Sequence, residues 1–449
     1  MRDEEMGNQY KRARKLRIGG YVSTRSIYCE EDVRLMADAG MNAVFVPWEN
    51  REQRDNLLRW CAEYGIEVIL FERYFHRLGP DPAEPAADYR ERMAEFTDGL
   101  ADVPNYLGSA LFDEPHATMF PQCEKLTRAF KEHLPEHIAL TNLLPNYGTP
   151  NQLAGYPEWI LTDEQREAWN REHMASMTYR EHLEQFVAAV PTEVLSADIY
   201  PFYWVDGKKI TLPGYMQGLS DLSEVAREHG QELCIVLQCL NNVPGYVRSV
   251  ETAALRFQLY CAMAFGATWF FYWTYEAGYG VPEADGYLDH DGRPTPLYYR
   301  AQPVNREAVA LSDVLCRYRS LGAFAINEPM VPRDTMKGAK YTAAKLSYLE
   351  FTPQYDGLPA VKAVESASPL LVGCFAERDG GGSAMIVVNA EDLETEKPAS
   401  VRFSLTEDMA VTAYPYGLPA VLLPDEKGVY HLELESGNGV LITLSPAGC

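Results

Sequence analysis

The strongest constraint in this sequence is an alternation. Short runs rich in β-branched and aromatic residues are each followed by a segment with apolar residues at helical spacing, the pattern of parallel βα units. Eight strand runs can be traced, at residues 16–22, 41–46, 66–71, 107–112, 137–143, 193–198, 233–238 and 268–273. Helical segments are expected at 30–39, 51–63, 86–100, 121–133, 178–189, 217–229, 249–265 and 303–317. Gly40, Gly65 and Gly230 stand where three of them stop, suited to left-handed C-terminal caps. Eight units in succession predict a (β/α)8 TIM barrel, and the stretch 144–174, rich in Pro, Asn and Trp, reads as a substrate loop inserted into it.

Beyond about residue 322 the helical period fades. Short alternating strands are expected at 369–375, 384–388, 400–405, 428–434 and 440–444, separated by Gly, Pro and Asp turns. The expected organisation is a barrel over 1–321 followed by a C-terminal antiparallel β-sandwich over 322–449.

Charge narrows the partners. The chain has 64 acidic and 40 basic residues and a formal net charge of −24, which repels phosphate backbones and anionic bilayers and argues against nucleic acid and membrane surfaces as partners. The longest apolar stretch, 260–273, falls short of the roughly 20 residues a membrane helix needs. Residues 1–20 carry Lys11, Arg12, Arg14, Lys15 and Arg17 and no apolar stretch before the first strand, so no signal peptide is expected. Nine cysteines without a C-x-x-C pair, several of them in apolar runs (Cys234, Cys261, Cys316, Cys374), predict reduced, buried thiols and a cytoplasmic location. No metal-ligand spacing and no phosphate-cradling glycine loop stands out, so no cofactor is expected. The sandwich and exposed aromatics are a candidate homo-oligomer contact.

In a barrel of this kind the active site lies at the carboxyl ends of the strands, so the residues that terminate each apolar run are the informative ones. They are Tyr21; Trp48 and Glu49; Glu72 and Arg73; Asp113 and Glu114; Asn142; Asp198 and Tyr200; Gln238; and Trp273, Tyr275 and Glu276. Carboxylates, amides and aromatic rings converging on one mouth suit a carbohydrate, whose C–H faces stack on rings while its hydroxyls need fixed polar partners. Cleaving a glycosidic bond needs a carboxylic acid at the leaving oxygen and a second carboxylate, or a group of the substrate, at the oxocarbenium-like centre. Glu114 is the candidate acid, and Pro115 is expected to hold it extended. Tyr200, Trp48, Trp273 and Tyr275 are candidate sugar platforms or donors. Glu49, Asn142 and Gln238 are candidate substrate-binding groups. Glu72 and Arg73 are expected to pair with each other rather than act directly.

The segments Leu111-Phe112-Asp113-Glu114-Pro115, Ala197-Asp198-Ile199-Tyr200-Pro201, Val236-Leu237-Gln238, Gly266-Ala267-Thr268 with Tyr272-Trp273, and Asp289-His290-Asp291-Gly292-Arg293-Pro294-Thr295-Pro296 together resemble the barrel glycoside hydrolases related to the β-galactosidases. The resemblance spans residues 17–320 and implies that Glu114 is the acid/base at the end of the fourth strand. One departure stands out: where most such retaining enzymes carry a nucleophilic Glu at the end of the seventh strand, this chain has Gln238. Three readings stay open. Asp113 beside Glu114 resembles the Asp-Glu pair of retaining β-N-acetylhexosaminidases, in which the Asp orients a substrate acetamido group that acts as nucleophile. Alternatively, Asp198 or Glu276 supplies the missing carboxylate. The third reading is a barrel that binds sugar without cutting it; a lyase or isomerase on the same fold is a further rival. The long loops at 144–174 and 274–295 point toward an exo-acting pocket.

Overall fold

The computed structural model describes residues 14–22, 27, 29–71, 87–155, 162, 164–165, 168, 177–205, 208–240, 250–276, 286–327, 348–349, 351 and 353–446. Eight strands close into a parallel barrel, as the alternation requires. β1 (Arg17–Tyr21), β2 (Ala43–Pro47), β3 (Glu67–Phe71), β4 (Tyr106–Asp113), β5 (Ile138–Leu143) and β6 (Val194–Asp198) follow one another round the wall. A hairpin of β7 (Phe202–Val205) and β8 (Lys208–Thr211), which the sequence did not announce, comes next; β9 (Glu232–Gln238) and β10 (Trp269–Trp273) then complete the wall, β10 pairing with β1.

The helices that cover the wall are α1 (Glu30–Asp38), α2 (Arg51–Glu63), α3 (Tyr89–Thr97), α4 (Phe120–His133), α5 (Tyr179–Ala189), α6 (Tyr215–Glu228), α7 (Thr252–Ala264) and α8 (Pro296–Leu315). Their starts follow local chemistry. Asn50 accepts from the Gln53 N–H at the head of α2, and Thr178 with Glu181 forms a reciprocal capping box at the head of α5. The eighth helix begins at Pro296, earlier than the expected 303, because Pro296 serves as the N-terminal proline and Pro303 lies inside the helix.

Strand alternation separates two cores. Ile18, Val44, Val68, Leu195, Ile235 and Phe270 point outward to the helices, whereas Phe45, Ile69, Leu140, Val236 and Phe271 fill the barrel. β4 departs from strict alternation: its pairing with β5 slips between Ala110 and Phe112. Ala110 faces inward, and Leu111 and Phe112 both join the outer core. A slip of this kind re-aims every later side chain of the strand; here it turns Asp113 toward the barrel axis.

The C-terminal region is a β-sandwich. One sheet has the order β11 (Tyr318–Ile326), β13 (Leu370–Glu377), β14 (Ser383–Asn389), β19 (Gly439–Pro446), β16 (Met409–Tyr414) and β17 (Ala420–Leu422), and the other has β12 (Val361–Ser366), β15 (Ala399–Leu405) and β18 (Val429–Leu434). The expected boundary at 321/322 falls inside β11, so the sandwich begins directly after α8. β11, β12, β16 and β17 were not expected. Leu370, Val372, Met385, Phe403 and Ile442 lie in the core between the sheets. The other face of the larger sheet, with Leu371, Phe375, Ile386 and Val388, joins the core around the barrel helices. That junction explains α7, which is buried on nearly every side because it is packed between barrel and sandwich. Gly373 lies so near that a Cβ there would meet the Ala264 carbonyl oxygen at 2.2 Å.

Candidate active site

The last inward positions of neighbouring strands meet at the barrel mouth. Asp113 of β4 sits in register with Asn142 of β5, and Asn142 with Ser196 of β6. The Asn142 amide donates to Asp113 Oδ1 at 3.2 Å and to Asp198 Oδ1 at 3.0 Å, while its own Oδ1 accepts from the Ser196 hydroxyl at 2.9 Å. Tyr21 at the end of β1 donates its hydroxyl to Asp113 Oδ2 at 3.5 Å.

Glu114 joins this cluster through an unusual backbone. The expectation of extended geometry before Pro115 is not met: φ is +47°, in the left-handed region. Two contacts override the local rule. The Glu114 N–H donates to the Asn142 carbonyl oxygen at 2.7 Å, and the Glu114 carboxyl hydrogen-bonds the Asp198 carboxyl. Asp198 is 4% exposed, whereas Glu114 is open to solvent. Two carboxyls this close favour protonation of one of them. Burial, and then the charges of Glu114 and Asp113, push the Asp198 carboxyl well above its ordinary range. Glu114 is raised too, by desolvation and then by Asp113, with the hydrogen bond to Asp198 opposing. Asp113 is raised by burial and held down by its donors Asn142 and Tyr21.

Aromatic rings surround the carboxyls. Trp273 meets Tyr21 edge to face with centroids 5.1 Å apart, and it is joined to Thr274 by a cis peptide bond. Tyr200 is half-buried, and its hydroxyl is pushed well up by desolvation and then by Asp198. Beside it, Tyr147 and Tyr203 pack edge to face at 6.4 Å, and the Tyr200 N–H donates to the Tyr147 hydroxyl at 3.4 Å. Tyr147, Tyr203 and Ser196 are additions to the residues the sequence singled out. Strand parity would have marked Ser196; Tyr147 and Tyr203 lie on loop and hairpin, where no parity applies.

Several candidates fall elsewhere. Trp48 packs outward, its ring stacked on Phe96 of α3 at 5.6 Å and under the Arg54 guanidinium of α2, so it is no platform at the mouth. Tyr275 is 1% exposed and stacks on Tyr287 behind the barrel wall. Gln238 ends β9 as expected, but its amide is committed: Oε1 accepts from Phe202 N and Nε2 donates to Phe202 O, both at 2.8 Å. It braces the base of the β7–β8 hairpin. Glu49 is an exposed rim residue whose backbone N–H donates to Gln53 Oε1 at 3.2 Å. Glu276 is buried at 2% exposure. Glu72 and Arg73 lie outside the described residues, as do most of 144–174 beyond Gly155 and residues 277–285 of the second loop. Among the described residues no group of His, Cys, Asp and Glu forms a metal site, and no helix is long and apolar enough to cross a membrane. The eight described cysteines are free thiols, Cys234, Cys261 and Cys374 among the buried ones.

Fold and site together define a (β/α)8 barrel with a hydrogen-bonded carboxyl cluster at its C-terminal mouth. No protein-family model matches the sequence, and no curated protein matches it. Solved structures do. A family 39 glycoside hydrolase from the gut symbiont Bacteroides cellulosilyticus WH2 aligns with 13% identity and a TM-score of 0.46, over 96% of this chain and 81% of that one. A β-galactosidase from Bacillus circulans sp. alkalophilus aligns with 13% identity and a TM-score of 0.47, over 69% and 58% of the two chains. An exo-β-1,4-mannosidase from Opitutaceae bacterium strain TAV5 aligns with 16% identity and a TM-score of 0.41, over 67% and 62%.

Proposed function

We propose that the protein is a glycoside hydrolase in which Glu114 is the general acid/base. The observation that carries this reading is the placement of Glu114: solvent-open, left-handed, and sharing a hydrogen bond with the buried Asp198 at the mouth of a closed barrel. A carboxyl raised above its ordinary range keeps a proton nearer neutrality, which is what protonating a leaving oxygen requires. The proton passes from Glu114 to the glycosidic oxygen as the bond to the anomeric carbon breaks. A nucleophile bonds to that carbon, and the Glu114 carboxylate then takes a proton from the water that completes hydrolysis.

The finer question is what the nucleophile is. Asp198 is buried and hydrogen-bonded to Glu114, so it reads as the partner that shares the acid's proton. Gln238 is spent on Phe202. These two observations favour a nucleophile supplied by the substrate, an acetamido oxygen, with Asp113 orienting its N–H.

Glu114→Gln tests the first level: turnover of aryl glycosides of galactose, glucose, N-acetylglucosamine and N-acetylgalactosamine should fall by about 10²-fold or more with the fold intact. A variant retaining near-normal turnover removes the acid assignment. Activity confined to sugars without an N-acetyl group removes the substrate-assisted mechanism and leaves the hydrolase. Glycans that stabilise the protein with no release of reducing ends point to a binding barrel, and unsaturated products to a lyase.

A further inference from the structure

Asn142 touches all three carboxylic residues of the cluster. Its two amide hydrogens go to Asp113 and Asp198, and its backbone carbonyl fixes Glu114. The amide has one usable orientation, because the Ser196 hydroxyl donates to Oδ1 and a flipped amide would set that oxygen against two carboxyl oxygens. Ser196 is itself fully buried, and Asn142 is 4% exposed. A sequence reading of Asn142 as a sugar ligand therefore changes: both its donors are already used inside the protein.

We propose that Asn142 is a positioning residue that sets where protons reside among Asp113, Asp198 and Glu114. An N–H donor favours the ionised form of the carboxyl it touches. With Asn142 and Tyr21 both donating to it, Asp113 is the carboxylate of the cluster, and the remaining proton lies between Asp198 and Glu114. The groups facing the cluster are Tyr21 from β1, Tyr147 beyond β5, Tyr179 of α5 and Tyr200 beyond β6, all phenols that stay neutral here because burial raises them.

The test does not need catalysis. With ¹³C-carboxyl Asp and Glu, the side-chain carbons of the cluster are followed by NMR against pH, assigned through Asp113→Asn, Asp198→Asn and Glu114→Gln. Asn142→Leu keeps the volume and removes both donors, so the Asp113 and Asp198 steps should move to higher pH by about one unit or more. Ser196→Ala frees the amide without removing it and should move the same steps in the same direction by less; it decides the matter if Asn142→Leu does not fold. Steps that stay within about 0.2 unit of the wild type in the folded variants overturn the proposal. A kinetic arm rests on the hydrolase reading: both limbs of the pH–rate profile should shift upward in Asn142→Leu, whereas a residue that only supports the fold would lower the rate at every pH alike. If no aryl glycoside is cleaved by the wild type, the hydrolase reading fails while the titration still judges Asn142.

Discussion

Gln238 stands where a nucleophilic Glu would complete a retaining pair, so Gln238→Glu looks like the change that repairs the enzyme. The structure predicts damage instead. The amide makes two bonds of opposite polarity to one residue, accepting from Phe202 N and donating to Phe202 O, each at 2.8 Å and with no exposure. A carboxylate keeps the acceptor and sets its second oxygen against the Phe202 carbonyl. Losing a buried donor costs about 1–3 kcal/mol, and ionising a carboxyl in that place costs more unless it stays protonated. The folded-state pKa of the new Glu is therefore raised above the unfolded value of about 4.3. A folded state that keeps a proton the unfolded chain has lost grows less stable as pH rises between the two values, at about 1.4 kcal/mol per pH unit. Between about pH 5.5 and 7.5 the variant should lose up to about 3 kcal/mol relative to wild type. Urea denaturation followed by tryptophan fluorescence at several pH values measures this. Wild-type stability across that range, or a covalent glycosyl-enzyme trapped on residue 238, would show that the side chain faces the substrate and that the brace is wrongly assigned.

Two further outcomes check the redistribution of residues. Trp48→Ala should cost about 2 kcal/mol of stability, since its ring packs on Phe96 and Arg54, and should leave KM for a cleaved glycoside unchanged; Trp273→Ala should raise that KM, read from steady-state kinetics. Arg256 and Glu307 join α7 to α8 by hydrogen bonds of 2.6, 3.0 and 3.2 Å, with side chains only 16% and 8% exposed. Arg256→Met alone should cost about 3 kcal/mol by stranding the Glu307 charge, and Arg256→Met with Glu307→Leu should recover most of it, as measured by denaturant midpoints.

The barrel was legible because short apolar-rich runs alternate with helical segments, signals that depend only on near neighbours in the chain. The hairpin after β6 was not, since it is stabilised by Gln238, far away in sequence. Among site candidates, Trp273 shares the inward parity of Trp269 and Phe271, whereas Trp48 follows Phe45 by an odd number and so faces the helices. Parity fails in β4, because the slip between Ala110 and Phe112 involves the register with a neighbouring strand. Asn142 could be placed at the mouth, but its duty as a bridge depends on which carboxyls its neighbours bring.

Two departures from ideal strand geometry place consecutive carboxyls in one cup. In a regular strand Asp113 and Glu114 would point to opposite faces. The slip in β4 turns Asp113 inward, and the left-handed Glu114 brings the next carboxyl to the same side, where it meets Asp198. A side chain in the left-handed region costs about 1–2 kcal/mol, a cost glycine escapes. This gives a test that ignores catalysis. Both Glu114→Ala and Glu114→Gly remove the carboxyl, and with it the contact to Asp198. In an extended strand the Gly variant would be the weaker by about 0.5–1 kcal/mol. At a φ of +47° the order reverses, with Gly at least as stable as Ala in urea denaturation. If Ala proves clearly the more stable, Glu114 is extended in solution, its carboxyl points away from Asp198, and the shared proton on which the acid assignment is built does not exist.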